Sequence, residues 1–213
     1  MFDNKIFSKV FMWMFVGLMI TFATGYYVAS NPNMVYNIFG KSFWIFAIIE
    51  ILLVIILSAK IHSMSPTTAK VMFCLYSFVT GLTFSSVFIM YQISSILIIF
   101  LITAVLCLIL SLIAYNTDID ITKIGVYLLI ALLGVIILEI INIFVGSVHL
   151  DMGLCILCLL IFLAYIAYDI QIIKSNMSTL PEDNLAIYGA LQLYLDFINI
   201  FLRLLQLFGK SND

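Results

Sequence analysis

The stretch Leu185 to Phe208, LAIYGALQLYLDFINIFLRLLQLF, constrains the fold more than any other part of the chain. In a helix at about 1.5 Å per residue it is long enough to cross a hydrocarbon core. It nevertheless carries Gln192, Asp196, Asn199, Arg203 and Gln206, at spacings of 4, 3, 4 and 3 residues. At roughly 100° per residue all five fall within about 80° of one helix face. Charged groups at mid-depth in a bilayer cost several kcal/mol each, so this stripe cannot be shown to lipid. The pattern predicts a final helix whose polar side faces a protein interior or a wet cavity, with the other helices around it.

Composition fixes what those other helices are. With 65% hydrophobic and 9% charged residues and a mean hydropathy of +1.24, most of the chain cannot be a water-exposed globule. The expected class is an all-α polytopic membrane protein whose first partner is the lipid bilayer. A net charge of −2 without a basic tail gives no basis for nucleic acid as a partner. Connections are short, so residues 1–213 are expected to form a single transmembrane domain.

Taken in order, a polar start with Lys5 and Lys9 leads into an apolar run over 10–29. That run exceeds a signal-peptide core and is followed by similar runs, which predicts a retained first helix. Further helices are predicted over 43–61, 68–91, 94–115, 124–145, 152–174 and 185–208, making seven spans. Asn31-Pro32-Asn33 and Gly40 mark the first loop, and Lys60 to Pro66, with His62, the second. Polar connections follow at 116–123, 146–151 and 176–184. Asp118-x-Asp120 lacks the glycine and terminal glutamate of a calcium loop and is read as solvated.

Lys5, Lys9, Lys60, Lys70, Lys123 and Lys174 fall on one side of the predicted spans; Lys41 and Lys210 fall on the other, with Arg203 snorkelling to that interface. The excess places the N-terminus in the cytoplasm and, after seven spans, the C-terminus outside.

Five ionisable residues lie within the spans: Glu50, Glu139, Asp169, Asp196 and Arg203. Such residues usually face an interior or a pathway. Glu50 and Glu139 can each also be read as a protonated, hydrogen-bonded structural acid, Glu139 more readily than Glu50. Asp169 and Asp196 sit on consecutive helices. Brought to about 4 Å, two carboxylates repel by roughly 4 kcal/mol at an effective dielectric near 20, about three pK units. Such a pair would share one proton and exchange it in coupled steps. Helical rise leaves a gap: Asp169 is about 8 Å from Lys174, and Asp196 about 18 Å from Asn184.

No arrangement has catalytic spacing, so the chain is expected not to be an enzyme and to need no cofactor. There is no Gly-x-Ser-x-Gly elbow, phosphate loop or His-Glu-x-x-His motif, and His62 and His149 fall on loops at opposite faces. A two-aspartate intramembrane protease would need Gly-x-Gly before one aspartate, whereas Asp196 follows Tyr194-Leu195. Cys155-x-x-Cys158 has no accompanying pair, and with Cys74 and Cys107 it reads as packing thiols.

Three segments carry a resemblance: Gly81-Leu82-Thr83-Phe84-Ser85-Ser86-Val87-Phe88 to Tyr91, Tyr168-Asp169-Ile170-Gln171, and Leu193-Tyr194-Leu195-Asp196-Phe197-Ile198-Asn199-Ile200-Phe201 with Leu204-Leu205. Together they resemble the transmembrane Bax inhibitor motif family in its bacterial branch, over nearly the whole chain. The resemblance implies six helices around a central seventh and a pH-sensitive calcium leak across a bacterial inner membrane. Its proton sensor and gate would be the carboxyls matching Asp169 and Asp196. Glu50 matches an acid associated with the ion path, to which Glu139 and Asn199 are added as expectations. Calcium favours oxygen ligands, so Asp169, Asp196 and Glu50 are expected as its transient ligands in passage. Lys60 stands near a family arginine that can latch the sensor; it keeps the charge without the planar fork. The family is also linked to stress and cell-death responses through partners such as a membrane protease, which implies the alternative of an interaction protein.

Overall fold

A computed structural model of the chain describes residues 4–38, 42–61, 63–117, 119–178 and 180–212. Gly40, Lys41, His62 and Asp118, placed in loops by the sequence, lie outside the described residues. Seven helices are long and apolar enough to cross a membrane. They are α1 (Asn4–Ala29), α2 (Phe43–Lys60), α3 (Pro66–Met90), α4 (Ile93–Asn116), α5 (Gly125–Val145), α6 (Val148–Ser175) and α7 (Glu182–Phe208). The protein is an all-α polytopic membrane protein. Burial differs sharply among the helices. Of the most apolar window in α7, 67% is buried, against 6% for the window that includes α5, so α7 carries interior and α5 faces outward.

Three helix starts lie three or more residues earlier than the sequence predicts. The polar start is helical from Asn4, because Lys9 reaches both Glu182 (2.9 Å) and Asp183 (3.0 Å). The expected turn over 146–151 shrinks to two residues. Gly146 ends α5 with φ +67°, a left-handed conformation that costs glycine little. Ser147 then accepts the Leu150 N–H through its hydroxyl, so His149 and Asp151 belong to the first turn of α6 and not to a loop. Finally α7 begins at Glu182, directly after Pro181, with two acids in its first turn where the helix dipole favours them.

The chain forms two compact units. The first comprises Met1–Ile93, Asn176–Tyr194 and Ser211–Asp213, that is α1 to α3 with the first half of α7. Here α1 and α3 approach so closely that a Cβ on Gly81 would stand 2.6 Å from Thr24 Cβ and 2.9 Å from the Thr21 carbonyl. Phe73 and Tyr76 present edges to Tyr194, each with ring centroids 5.8 Å apart. Lys9 and Lys70 converge on Asp183, and Asn184, buried, donates to the Ile61 and Met64 carbonyls beyond the end of α2. At the other end of α3, Asn212 donates to the Ile89 and Tyr91 carbonyls, both at 3.0 Å.

The second unit comprises Ser94–Ser175 and Leu195–Lys210. Phe100 on α4 meets Phe197 and Phe201 on α7, with centroids 5.0 and 6.2 Å apart. On α6, Gln171 clamps the connection before α5. It accepts from the Ile121 N–H (2.9 Å) and donates to the Ile119 carbonyl (2.7 Å).

Replacing Gly81 by valine forces a branched side chain against backbone that cannot yield. Thermal unfolding in detergent should show a loss of about 1–3 kcal/mol. Gly134→Ala, where nothing lies within 4 Å of the new Cβ, should be neutral or stabilising by up to about 1 kcal/mol through helix propensity.

Candidate functional site: carboxyl groups at membrane depth

Asp169 on α6 and Asp196 on α7 meet within the second unit. Each is 3% exposed, and their carboxyl groups are hydrogen-bonding neighbours despite unequal distances from the helix ends. An ionised carboxylate only accepts, so a hydrogen bond between two of them requires a proton on one. Asp196 Oδ2 is buried with no hydrogen-bond partner among the described residues. Tyr165 and Tyr168, on the same helix as Asp169, and Cys107 on α4 are titratable neighbours of the pair.

Glu50 lies in the first unit, in the middle of α2. Both of its carboxyl oxygens are answered from α3: Thr80 Oγ1 is 3.0 Å from Oε1 and Thr83 Oγ1 is 2.9 Å from Oε2. These threonines flank and enter the Gly81–Ser86 segment. Its residues thus supply both the close approach to α1 and the hydroxyl cover of a membrane acid. Thr80 is also within hydrogen-bonding reach of the Tyr76 and Tyr194 hydroxyls, and Tyr194 bonds Thr21 on α1.

Arg203, expected to snorkel to the interface, has a partner in the protein. Its guanidinium lies 2.7 Å from Glu139 Oε1, joining α7 to α5 within the second unit. The contact is an ion pair by distance, without good hydrogen-bond angles. Paired in this way, neither charge meets hydrocarbon alone. Asn142, Asp151 and this pair line a cleft of about 530 Å³. Across α6 and α7, Gln206 donates to Asp151 Oδ2 (2.9 Å).

The remaining expected site residues are less engaged. Asn199 is half-buried and donates to the Leu195 carbonyl of its own helix at 2.8 Å. Lys60, in the first unit, is exposed and makes no ion pair among the described residues. Among those residues no group of three or more His, Cys, Asp or Glu side chains could hold a metal ion. Thr122 donates its N–H (3.0 Å) and hydroxyl (2.6 Å) to Asp120, which holds that exposed carboxyl below the usual carboxylate range. That contribution is present above an unfolded value of about 3.9 and is lost as pH falls further.

Sequence reading did not single out Thr21, Tyr76, Thr80, Asn184 or Gln171. Gln171 and Thr83 lay inside quoted motifs, and the signal for Thr80 was its position three residues before Thr83 on a helix facing a lone acid. Nothing in the local sequence marks Asn184 as a cap, because the carbonyls it satisfies lie more than a hundred residues away.

A helical membrane protein with acids buried against its last helix is the class these features define. The family described as "Inhibitor of apoptosis-promoting Bax1" matches residues 3–213. The chain is 36% identical over 211 residues to the Inner membrane protein YbhL of Escherichia coli (strain K12), covering 95% of this chain and 90% of that protein. A protein of Borreliella burgdorferi is 38% identical over 217 residues, covering 99% and 94%. One of Deinococcus radiodurans is 31% identical over 210 residues, covering 97% and 90%. The chain belongs to the Bax inhibitor family.

The Glu139–Arg203 contact should show as coupling. Arg203→Met or Glu139→Gln alone should lower the unfolding midpoint, since each strands a charge, and the double variant should lose little more than either. The coupling should be about 1–2 kcal/mol, between exposed and fully buried pairs.

Proposed function

We propose that this protein is a passive, pH-sensitive calcium leak gated by Asp169 and Asp196. The observation that carries the reading is the buried hydrogen-bonding contact of these two carboxyls between α6 and the second half of α7. Family membership lends weight, as does a relative named as an inner membrane protein. On this reading the chain resides in a bacterial inner membrane with its N-terminus in the cytoplasm.

With one proton between them, the carboxyls hold α6 and α7 together. Loss of that proton leaves two negative charges at contact, and roughly 4 kcal/mol of repulsion at an effective dielectric near 20 drives the helices apart. Calcium is cargo and not a resident ion. Ionised Asp169 and Asp196 would offer it oxygen ligands in passage, with Glu139 and Asn199 of the same unit along the path. Apart from the exchange of that proton no covalent bond changes, so this reading calls for no cofactor.

The family description names an inhibitor of apoptosis and so leaves a second reading open: the protein would regulate a stress or cell-death response by binding a membrane partner, such as a protease. There the acids would serve packing alone.

The test is calcium entry into vesicles containing only this protein, stepped between about pH 6 and about pH 8, the range in which a shared proton would exchange. Wild-type flux should respond to pH, and Asp169→Asn and Asp196→Asn should each flatten the response. Flux that is absent at every pH, or equally pH-dependent in both variants, would contradict the gate and move the weight to the partner reading.

A further inference from the structure

We propose that Glu50 is a proton-binding site, holding a proton at rest inside a threonine–tyrosine hydroxyl network. The argument is a count of hydrogens. Thr83 Oγ1 is 2.9 Å from Glu50 Oε2 and also 2.9 Å from the Thr80 backbone carbonyl. A hydroxyl has one hydrogen to give, and a carbonyl has none. For both contacts to be hydrogen bonds, Thr83 must donate to the Thr80 carbonyl, and the hydrogen between Thr83 and Glu50 must come from the carboxyl. Thr80 then donates to the other oxygen, Oε1, at 3.0 Å. A neutral carboxylic acid presents one donor and one acceptor, and the two threonines match them.

The surroundings fit a neutral acid. Thr80 is 3% exposed, and the titratable groups that face Glu50 are Tyr76 from α3 and Tyr194 from α7, which supply no positive charge. Among the described residues no cation pairs with Glu50. Thr21 continues the same ordering: its single hydrogen goes to the Ser77 carbonyl at 2.9 Å, so the Tyr194 hydroxyl donates to Thr21. A charge at Glu50 would break this order. Thr83 would have to turn from the Thr80 carbonyl to the carboxylate, and the released proton would pass to water.

This inference does not depend on calcium passage. It gives the first unit a proton site of its own, apart from the aspartate pair of the second unit, and it makes a proton the ligand of Glu50 at rest.

Infrared spectroscopy of the protein in lipid vesicles tests it, in an Asp169→Asn/Asp196→Asn background that removes the other buried pair. Near neutral pH the carbonyl stretch of a protonated carboxyl should be present and should vanish in Glu50→Gln. That amide presents the same acceptor to Thr80 and the same donor to Thr83, so the variant should fold. With Glu50 retained, Thr80→Val should move the band to higher frequency, because the carbonyl oxygen loses its donor. A background protein without the band, a band unchanged by Glu50→Gln, or a Thr80→Val band that does not move would overturn the assignment.

Discussion

A polar group inside a bilayer has no water to fall back on, and every polar side chain at depth must find its partner in the protein. This constraint organises the molecule. Asp196 could not be exposed to hydrocarbon, and it meets Asp169. Glu50 has hydroxyls on both carboxyl oxygens, and Glu139 has Arg203. The three solutions differ chemically. The first brings two acids together, the second sets a lone acid among hydroxyls, and the third pairs an acid with a base.

The same constraint explains why the helices are so unequal in burial. An α-helix satisfies its own backbone, so α5 can present apolar side chains outward with little need for packing. The last helix has no such freedom. Its first half carries Asn184 and Tyr194 into the first unit, and its second half carries Asp196 and Arg203 into the second. Each unit thus takes from α7 the polar groups that its own helices answer. Close approach does the rest, through Gly81 against α1 and through aromatic edges around Tyr194 and Phe100.

Much of this was legible in the sequence. Seven spans follow from apolar run length alone, and the polar face of the last helix identified Asp196 as a residue that had to be buried. Helix starts were less legible where tertiary partners or caps decide them. Lys5 and Lys9 look like a solvated start until Glu182 and Asp183 are placed beside them, and Ser147 looks like loop until it caps α6. The partner of Arg203 was hidden for a related reason. Snorkelling is judged from one helix, whereas an ion pair needs the neighbour, sixty-four residues earlier in the chain. The hydroxyl network was hidden because threonine and tyrosine are unremarkable in membrane helices until an acid is found facing them.

The central claim is that Asp169 and Asp196 behave as one titrating unit. Carbon-13 magnetic resonance of aspartate-labelled protein in lipid nanodiscs, followed through a pH titration with single Asp→Asn variants for assignment, reads it directly. The account predicts that the two side-chain carboxyl signals move together in coupled steps, and that removing either partner changes the titration of the other. Two independent titrations, each unaffected by loss of the other residue, would contradict it.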